Sequence, residues 1–129
     1  MPPSEPMAER QIICRDNADL SERAAEEFVR LARQAIQLAG RFTVALSGGS
    51  TPKALYTLLT APGVAERISW NRAHLYWGDE RCVPPDHPES NYRMVEETLI
   101  SKIQIPQENV HRMAGEKAPQ IAAREYEAE

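Results

Sequence analysis

Between Phe42 and Leu59 the sequence changes its period within a few residues. "FTVALSGGSTPKALYTLL" opens on an apolar, partly β-branched run, which predicts a buried strand over Phe42–Leu46. Two glycines, two hydroxyl residues and a proline follow, and Leu55, Leu58 and Leu59 then recur at helical spacing. A strand, a tight turn and a helix start bring backbone N–H groups and the positive end of a helix dipole onto one small volume, the arrangement a phosphate needs. Gly48 and Gly49 allow the sharp turn and a close backbone approach to an anion. Ser50 and Thr51 add hydroxyl donors, and Lys53 adds a positive charge in the first turn. With Thr51 as N-cap, Pro52 falls at the first helical position, where its missing N–H does no harm. On motif chemistry alone, an ordinary strand-to-helix turn capped by Thr51 explains these residues equally well. Better-known loops do not fit. A nucleotide P-loop needs glycine where Pro52 stands, G-x-G-x-x-G is absent, and the same proline spoils a G-x-S-x-G nucleophile elbow.

The flanking sequence repeats the alternation. Gln11 to Cys14 predicts a short first strand. Residues 16–40 then read as a helix, capped by Asp16 or Asn17 and closed by Gly40, with Leu20, Ala24, Phe28, Leu31, Ala35 and Leu38 on its inward face. Pro62-Gly63 ends the helix that follows the glycine loop. Ala73 to Trp77 predicts another strand, and the proline-rich "CVPPDHPES" predicts a loop. Ser90 caps a helix over Asn91 to Lys102, with Met94, Val95 and Leu99 on one face. Val110 to Met113 reads as a short strand, and Pro119 opens a last helix with Ile121, Ala122 and Tyr126 facing inward. Strands alternating with helices predict an α/β fold with a mainly parallel sheet. Residues 1–10 read as a flexible tail and residues 11–129 as one domain.

Composition narrows the function classes. A formal net charge of −4 argues against non-specific binding to nucleic acid or an anionic membrane, so local donors must hold any anionic ligand. No apolar run approaches the roughly 18 residues of a membrane span. Cys14 and Cys82 have neither C-x-x-C nor zinc spacing, which suits incidental thiols in a reduced, cytoplasmic protein. His74, His87 and His111 show no metal spacing, so no metal is expected. Trp70 and Trp77 read as core or pocket wall.

Asp79, Glu80 and Arg81 follow the second predicted strand. In parallel α/β sheets ligands bind beyond the carboxyl ends of strands, so this turn and the glycine loop can share an edge. Arg81 has the forked geometry for a phosphate or a developing oxyanion, and Asp79 can accept from sugar hydroxyls or assist proton transfer. Asn91 and Arg93 stand in the first turn of the next helix, with Arg93 a second candidate anion donor. Taken singly, each charge reads at least as well as a solvated strand end or helix end.

"ALSGGSTP", "WGDERCVP" and "SNYRM", in this order and followed by "NVHRM", resemble the glucosamine-6-phosphate isomerase/6-phosphogluconolactonase family, with wording closer to the lactonases than to the deaminases. The resemblance implies a modified Rossmann-like sheet with flanking helices and hydrolysis of 6-phosphogluconolactone in the pentose phosphate pathway, without metal or organic cofactor. It assigns Gly48, Gly49, Ser50 and Thr51 to substrate phosphate, Asp79 and Arg81 to the catalytic strand-end cluster, and Asn91 and Arg93 to substrate binding. It also implies a general-base histidine in a G-x-D-G-H-T segment, and no D-G-H occurs in this sequence. The chain therefore reads as the N-terminal half of a lactonase, with a fold incomplete at its C-terminal end and a sheet edge open to self-association. A non-catalytic phosphosugar-binding module and a related isomerase or deaminase are the alternatives. Lactone hydrolysis needs a base for water and donors for the oxyanion, and only the donors are legible here.

Overall fold

The computed structural model describes residues 11–129, so the expected flexible tail over residues 1–10 lies outside the described residues. Helix α1 (Asn17–Ala39) leads into strand β1 (Phe42–Leu46), helix α2 (Ser50–Leu59), strand β2 (Ala73–Trp77), helix α3 (Asn91–Thr98) and helix α4 (Pro119–Glu127), with short 3-10 turns between them. β1 and β2 run parallel with Phe42 opposite Ala73 and Leu46 opposite Trp77. Val110 makes a single parallel bridge to Leu75 on the far side of β2, closed by the His111 N–H donating to the Leu75 carbonyl at 2.8 Å. The expected strand over Val110 to Met113 is thus one bridge long. Residues 11–14 are not a strand, and their side chains Ile12 and Ile13 stand exposed.

Local chemistry explains where the helices begin and end. The Asp16 carboxylate accepts the Asp19 N–H at 2.8 Å, an N-cap worth about 1 kcal/mol. Gly40 closes α1 at φ 78°, a left-handed turn that costs glycine little. Ser90 caps α3 by accepting the Arg93 N–H, and α3 gives way to a 3-10 turn over Ile100–Lys102 rather than continuing to Lys102 as an α-helix.

One face of the sheet is dry. Phe42, Leu46, Ala73, Leu75 and Trp77 pack with Phe28 and Val29 of α1, Tyr56 and Leu59 of α2, and Val95 and Leu99 of α3. Phe28 meets Phe42 edge to face, with ring centroids 5.3 Å apart. Leu59, Leu75 and Leu99 are wholly buried, and truncating one to alanine costs about 2–5 kcal/mol. The buried face of α1 is Ser21, Ala25, Phe28, Val29 and Ala32, so the expected stripe is displaced by about one residue: Leu20, Leu31 and Leu38 are exposed. On α4, Ala122 and Tyr126 are half-buried, whereas Ile121 is exposed.

The second face of the sheet is wetter. Thr43 and Ala45 of β1 are exposed there, and His74 and Tyr76 of β2 are half-buried. The rings of His111 and Tyr76 stack at 4.4 Å, and His74 Nδ1 lies 3.0 Å from His111 Nε2, within hydrogen-bonding distance. The Tyr126 hydroxyl accepts the Trp77 N–H at 2.7 Å, fastening α4 to the end of β2. No helix among the described residues is long and apolar enough to cross a membrane.

Candidate active site

The glycine loop leaves β1 under firm local control. The Tyr56 hydroxyl accepts the Ser47 N–H and donates to the Ser47 carbonyl, both at 2.9 Å. Tyr56 is buried, which pushes its phenol up from its usual range, so it stays a neutral donor and acceptor. Gly49 then turns at φ 107°, outside the range of ordinary side chains. α2 starts two residues earlier than the sequence suggests. Gly49 is the N-cap, Thr51 is not, and Pro52 is the third helical residue. Proline is harmless there as well, because first-turn N–H groups have no intrahelical acceptor.

Gly48, Gly49, Ser50 and Thr51 present four consecutive backbone N–H groups that meet no protein acceptor among the described residues. No acidic residue stands in the first turn of α2, and the Gly49 cap makes no side-chain hydrogen bond. The Ser50 and Thr51 hydroxyls and the Lys53 ammonium are exposed and likewise meet no protein partner among the described residues.

α3 approaches this loop closely. A Cβ built on Gly48 would lie 2.7 Å from Asn91 Cγ, so only glycine leaves room for the Asn91 carboxamide. Asn91 Nδ2 donates to the Asp79 carbonyl at 3.2 Å and reaches the Asp79 carboxylate at 3.5 Å. The Gly78 N–H donates to the Leu46 carbonyl at 2.9 Å, which holds the two strand ends level. Gly48, Asp79 and Asn91 are therefore brought together, with Ser50 and Thr51 directly following in the chain.

Arg81 is exposed, two residues along the same turn from Asp79, and its guanidinium makes no ion pair or hydrogen bond among the described residues. Arg93 is differently employed. Its Nε donates to Glu97 at 2.8 Å and its Nη1 to the Asp86 carbonyl at 3.0 Å, which spends much of its fork on α3 and the proline-rich loop.

Two residues without an assigned role in the sequence reading shape the site. Tyr56 is one, and its spacing from Ser47 gives no local signal. Glu80 is the other. Its carboxylate accepts from the N–H groups of Arg81, Asn91 and Tyr92 at 2.7, 2.7 and 3.0 Å and from the Ser90 hydroxyl at 2.9 Å. A carboxylate ten residues ahead of a serine cap is visible in the sequence, but nothing there shows that the intervening loop folds back.

Fold and site define a parallel α/β protein whose glycine loop and acidic turn lie at the carboxyl ends of neighbouring strands. The chain belongs to the family of glucosamine-6-phosphate isomerases and 6-phosphogluconolactonases, whose sequence profile matches residues 15–129. It is 44% identical over 108 residues to the 6-phosphogluconolactonase of Haemophilus influenzae, across 84% of this chain and 45% of that protein. It is 40% identical over 113 residues to the 6-phosphogluconolactonase of a Nostoc species, across 87% of this chain and again 45% of the relative. The crystal structure of 6-phosphogluconolactonase from Thermotoga maritima superposes with a TM-score of 0.76 at 30% identity, over 84% of this chain and 48% of that one. The chain thus spans about half the length of the curated relatives it matches, and the Rossmann-like parallel sheet with flanking helices expected from the sequence is the fold of these neighbours.

Proposed function

We propose that this chain carries the phosphate-binding and carbonyl-polarising part of a 6-phosphogluconolactonase, an ester hydrolase that opens 6-phosphogluconolactone to 6-phosphogluconate. The observation that carries the reading is the run of four N–H groups from Gly48 to Thr51 without protein acceptors, at an α2 amino end bare of acidic residues. Such a cradle suits a phosphate dianion. In this reading Gly48, Gly49, Ser50 and Thr51 hold the phosphate, while Asn91 borders the sugar and Asp79 accepts from its hydroxyls. Arg81 faces the lactone carbonyl, where its free fork stabilises the oxyanion formed when water adds. Collapse of that intermediate breaks the bond from C1 to the ring oxygen, which leaves with a proton as a hydroxyl. Arg93 contributes to substrate binding through the loop it anchors at Asp86. The base that takes the proton from water comes from a second half such as the relatives possess.

A cytoplasmic setting, with no nucleic-acid partner, accords with a sugar-phosphate substrate and a net charge of −4. Self-association accords with the outer edge of β1, which has no strand partner among the described residues. Sedimentation at several concentrations tests that point. The function is tested by assaying lactone hydrolysis with residues 1–129 alone and with the same residues joined to the second half of the Haemophilus influenzae relative. Activity is expected in the joined protein and little or none in residues 1–129 alone. A joined protein that folds but neither hydrolyses the lactone nor binds 6-phosphogluconate refutes the reading.

A further inference from the structure

Two helix amino ends lie close together at the carboxyl ends of the strands, those of α2 and α3, with Asn91 against Gly48, and the protein treats them in opposite ways. At α2 the leading N–H groups meet no protein acceptor among the described residues. At α3 each of the first three N–H groups is taken: Asn91 and Tyr92 donate to Glu80, and Arg93 donates to the Ser90 hydroxyl. The Ser90 hydroxyl itself donates to Glu80 at 2.9 Å. A carboxylate that accepts four hydrogen bonds at a helix amino end does what a bound anion would do there.

We propose that Glu80 is a specificity-determining residue that fills the amino end of α3 with the protein's own carboxylate and so directs a ligand's anionic group to the amino end of α2. The inference rests on the phosphate reading of the glycine loop. Its chemistry is that of competition between two like sites. Both helix ends carry partial positive charge and free donors when uncapped, so each could take the one phosphate of a phosphosugar lactone. Without Glu80 such a ligand could seat in either direction. With Glu80 in place, the α3 end has its donors satisfied and a negative charge that repels a second anion. The same four hydrogen bonds fix the turn that carries Asp79 and Arg81 against α3, where Asn91 bonds to Asp79. Glu80 thereby sets the direction of the ligand and the place of the groups that act on it.

The test follows inorganic phosphate by backbone amide NMR in the 129-residue chain and in its Glu80→Gln and Ser90→Ala variants. Ser90→Ala removes the serine cap of the same helix but leaves the carboxylate, so it reports what general loosening of α3 does. In the unsubstituted chain, half-saturation at the amides of residues 91–93 is expected at least tenfold above that at residues 49–51. In Glu80→Gln the two are expected to fall within about threefold of each other, because a helix-end charge interaction is worth about twofold to fivefold in affinity. Ser90→Ala should keep the preference of the unsubstituted chain. The inference is overturned if phosphate already reaches residues 91–93 equally well in the unsubstituted chain. It is overturned too if Glu80→Gln leaves them unperturbed, or if Ser90→Ala redistributes phosphate as strongly as Glu80→Gln. Failure of the glycine-loop reading looks different: residues 49–51 stay silent in every variant, while the appearance of phosphate at residues 91–93 in Glu80→Gln alone still supports the role of Glu80.

Discussion

Gly48 and Asn91 are a matched pair: the carboxamide of one occupies the space that a side chain on the other would need. Gly48→Ala should therefore push Asn91 off Asp79 and cost about 1–3 kcal/mol, as overpacking does. Asn91→Ala should be milder, and the double variant should recover much of the alanine penalty at residue 48. Urea denaturation of the four proteins gives the coupling energy. Strictly additive costs would show that the two residues do not contend for one space.

Gly49 is constrained by its backbone rather than by its neighbours. At φ 107° a valine is strained by on the order of 1–3 kcal/mol, and straightening the turn would pull the N–H groups apart. Gly49→Val should weaken binding of 6-phosphogluconate by about tenfold or more, with helix content unchanged by circular dichroism. Equal affinity in a titration calorimeter would remove the loop from the binding site.

Arg81 offers a planar fork that no protein group occupies among the described residues. In the joined lactonase described above, Arg81→Lys should lower kcat by about a hundredfold or more, since lysine keeps the charge and loses the fork. The Michaelis constant should move much less. Near-normal turnover in steady-state kinetics would reduce Arg81 to a point charge.

His74 should titrate below the ordinary histidine range. Burial is the main cause, with Arg41 and the His111 ring adding to it. Its folded pKa is depressed, so the unfolded chain binds its proton first as pH falls. Stability from this residue is full above about pH 6.5 and declines on acidification below that. Glu129, 3.5 Å from His111 Nδ1, offers a counter-charge to the partner ring. An NMR titration of the ring protons that places His74 at or above 6.5 would contradict this.

Glu116 is held down to about 2 by its hydrogen bonds with Arg112. The depressed carboxylate contributes fully above about pH 4.5 and loses that contribution as pH falls toward 2. The pair is a third exposed, so its worth is below about 1 kcal/mol. Glu116→Gln should flatten this part of the acid-denaturation curve; an unchanged curve would mean the pair holds nothing.

The elements that sequence reading located well are those with a strong local signal. Ala73 to Trp77 has an apolar run stopped by Gly78, and α1 has a cap at each end. The phase of α1 was harder to read, because its apolar residues form two adjacent stripes. Leucine is the greasier choice, yet the tight approach to Phe42 selects Ala25, Phe28, Val29 and Ala32. The helix start at Ser50 was hidden by the two adjacent hydroxyl residues, either of which can cap. Residues 11–14 have strand-like composition but no neighbour to pair with among the described residues. At the site, residue types named the glycine loop and the strand-end cluster. The clasp of Asn91 over Gly48 and the return of Glu80 to α3 depend on a ten-residue loop closing, which no local pattern encodes.

The Tyr56 hydroxyl, bonded twice to Ser47, joins the root of the glycine loop to the second turn of the helix that the loop begins. Loop and helix are thus one rigid bracket, bolted to the hydrophobic interior by the same aromatic ring. To move Ser47 relative to α2, the helix must withdraw a buried phenol from its two hydrogen bonds. On the phosphate reading proposed above, an arriving ligand meets a shape already made, and little of its binding energy goes into ordering the chain.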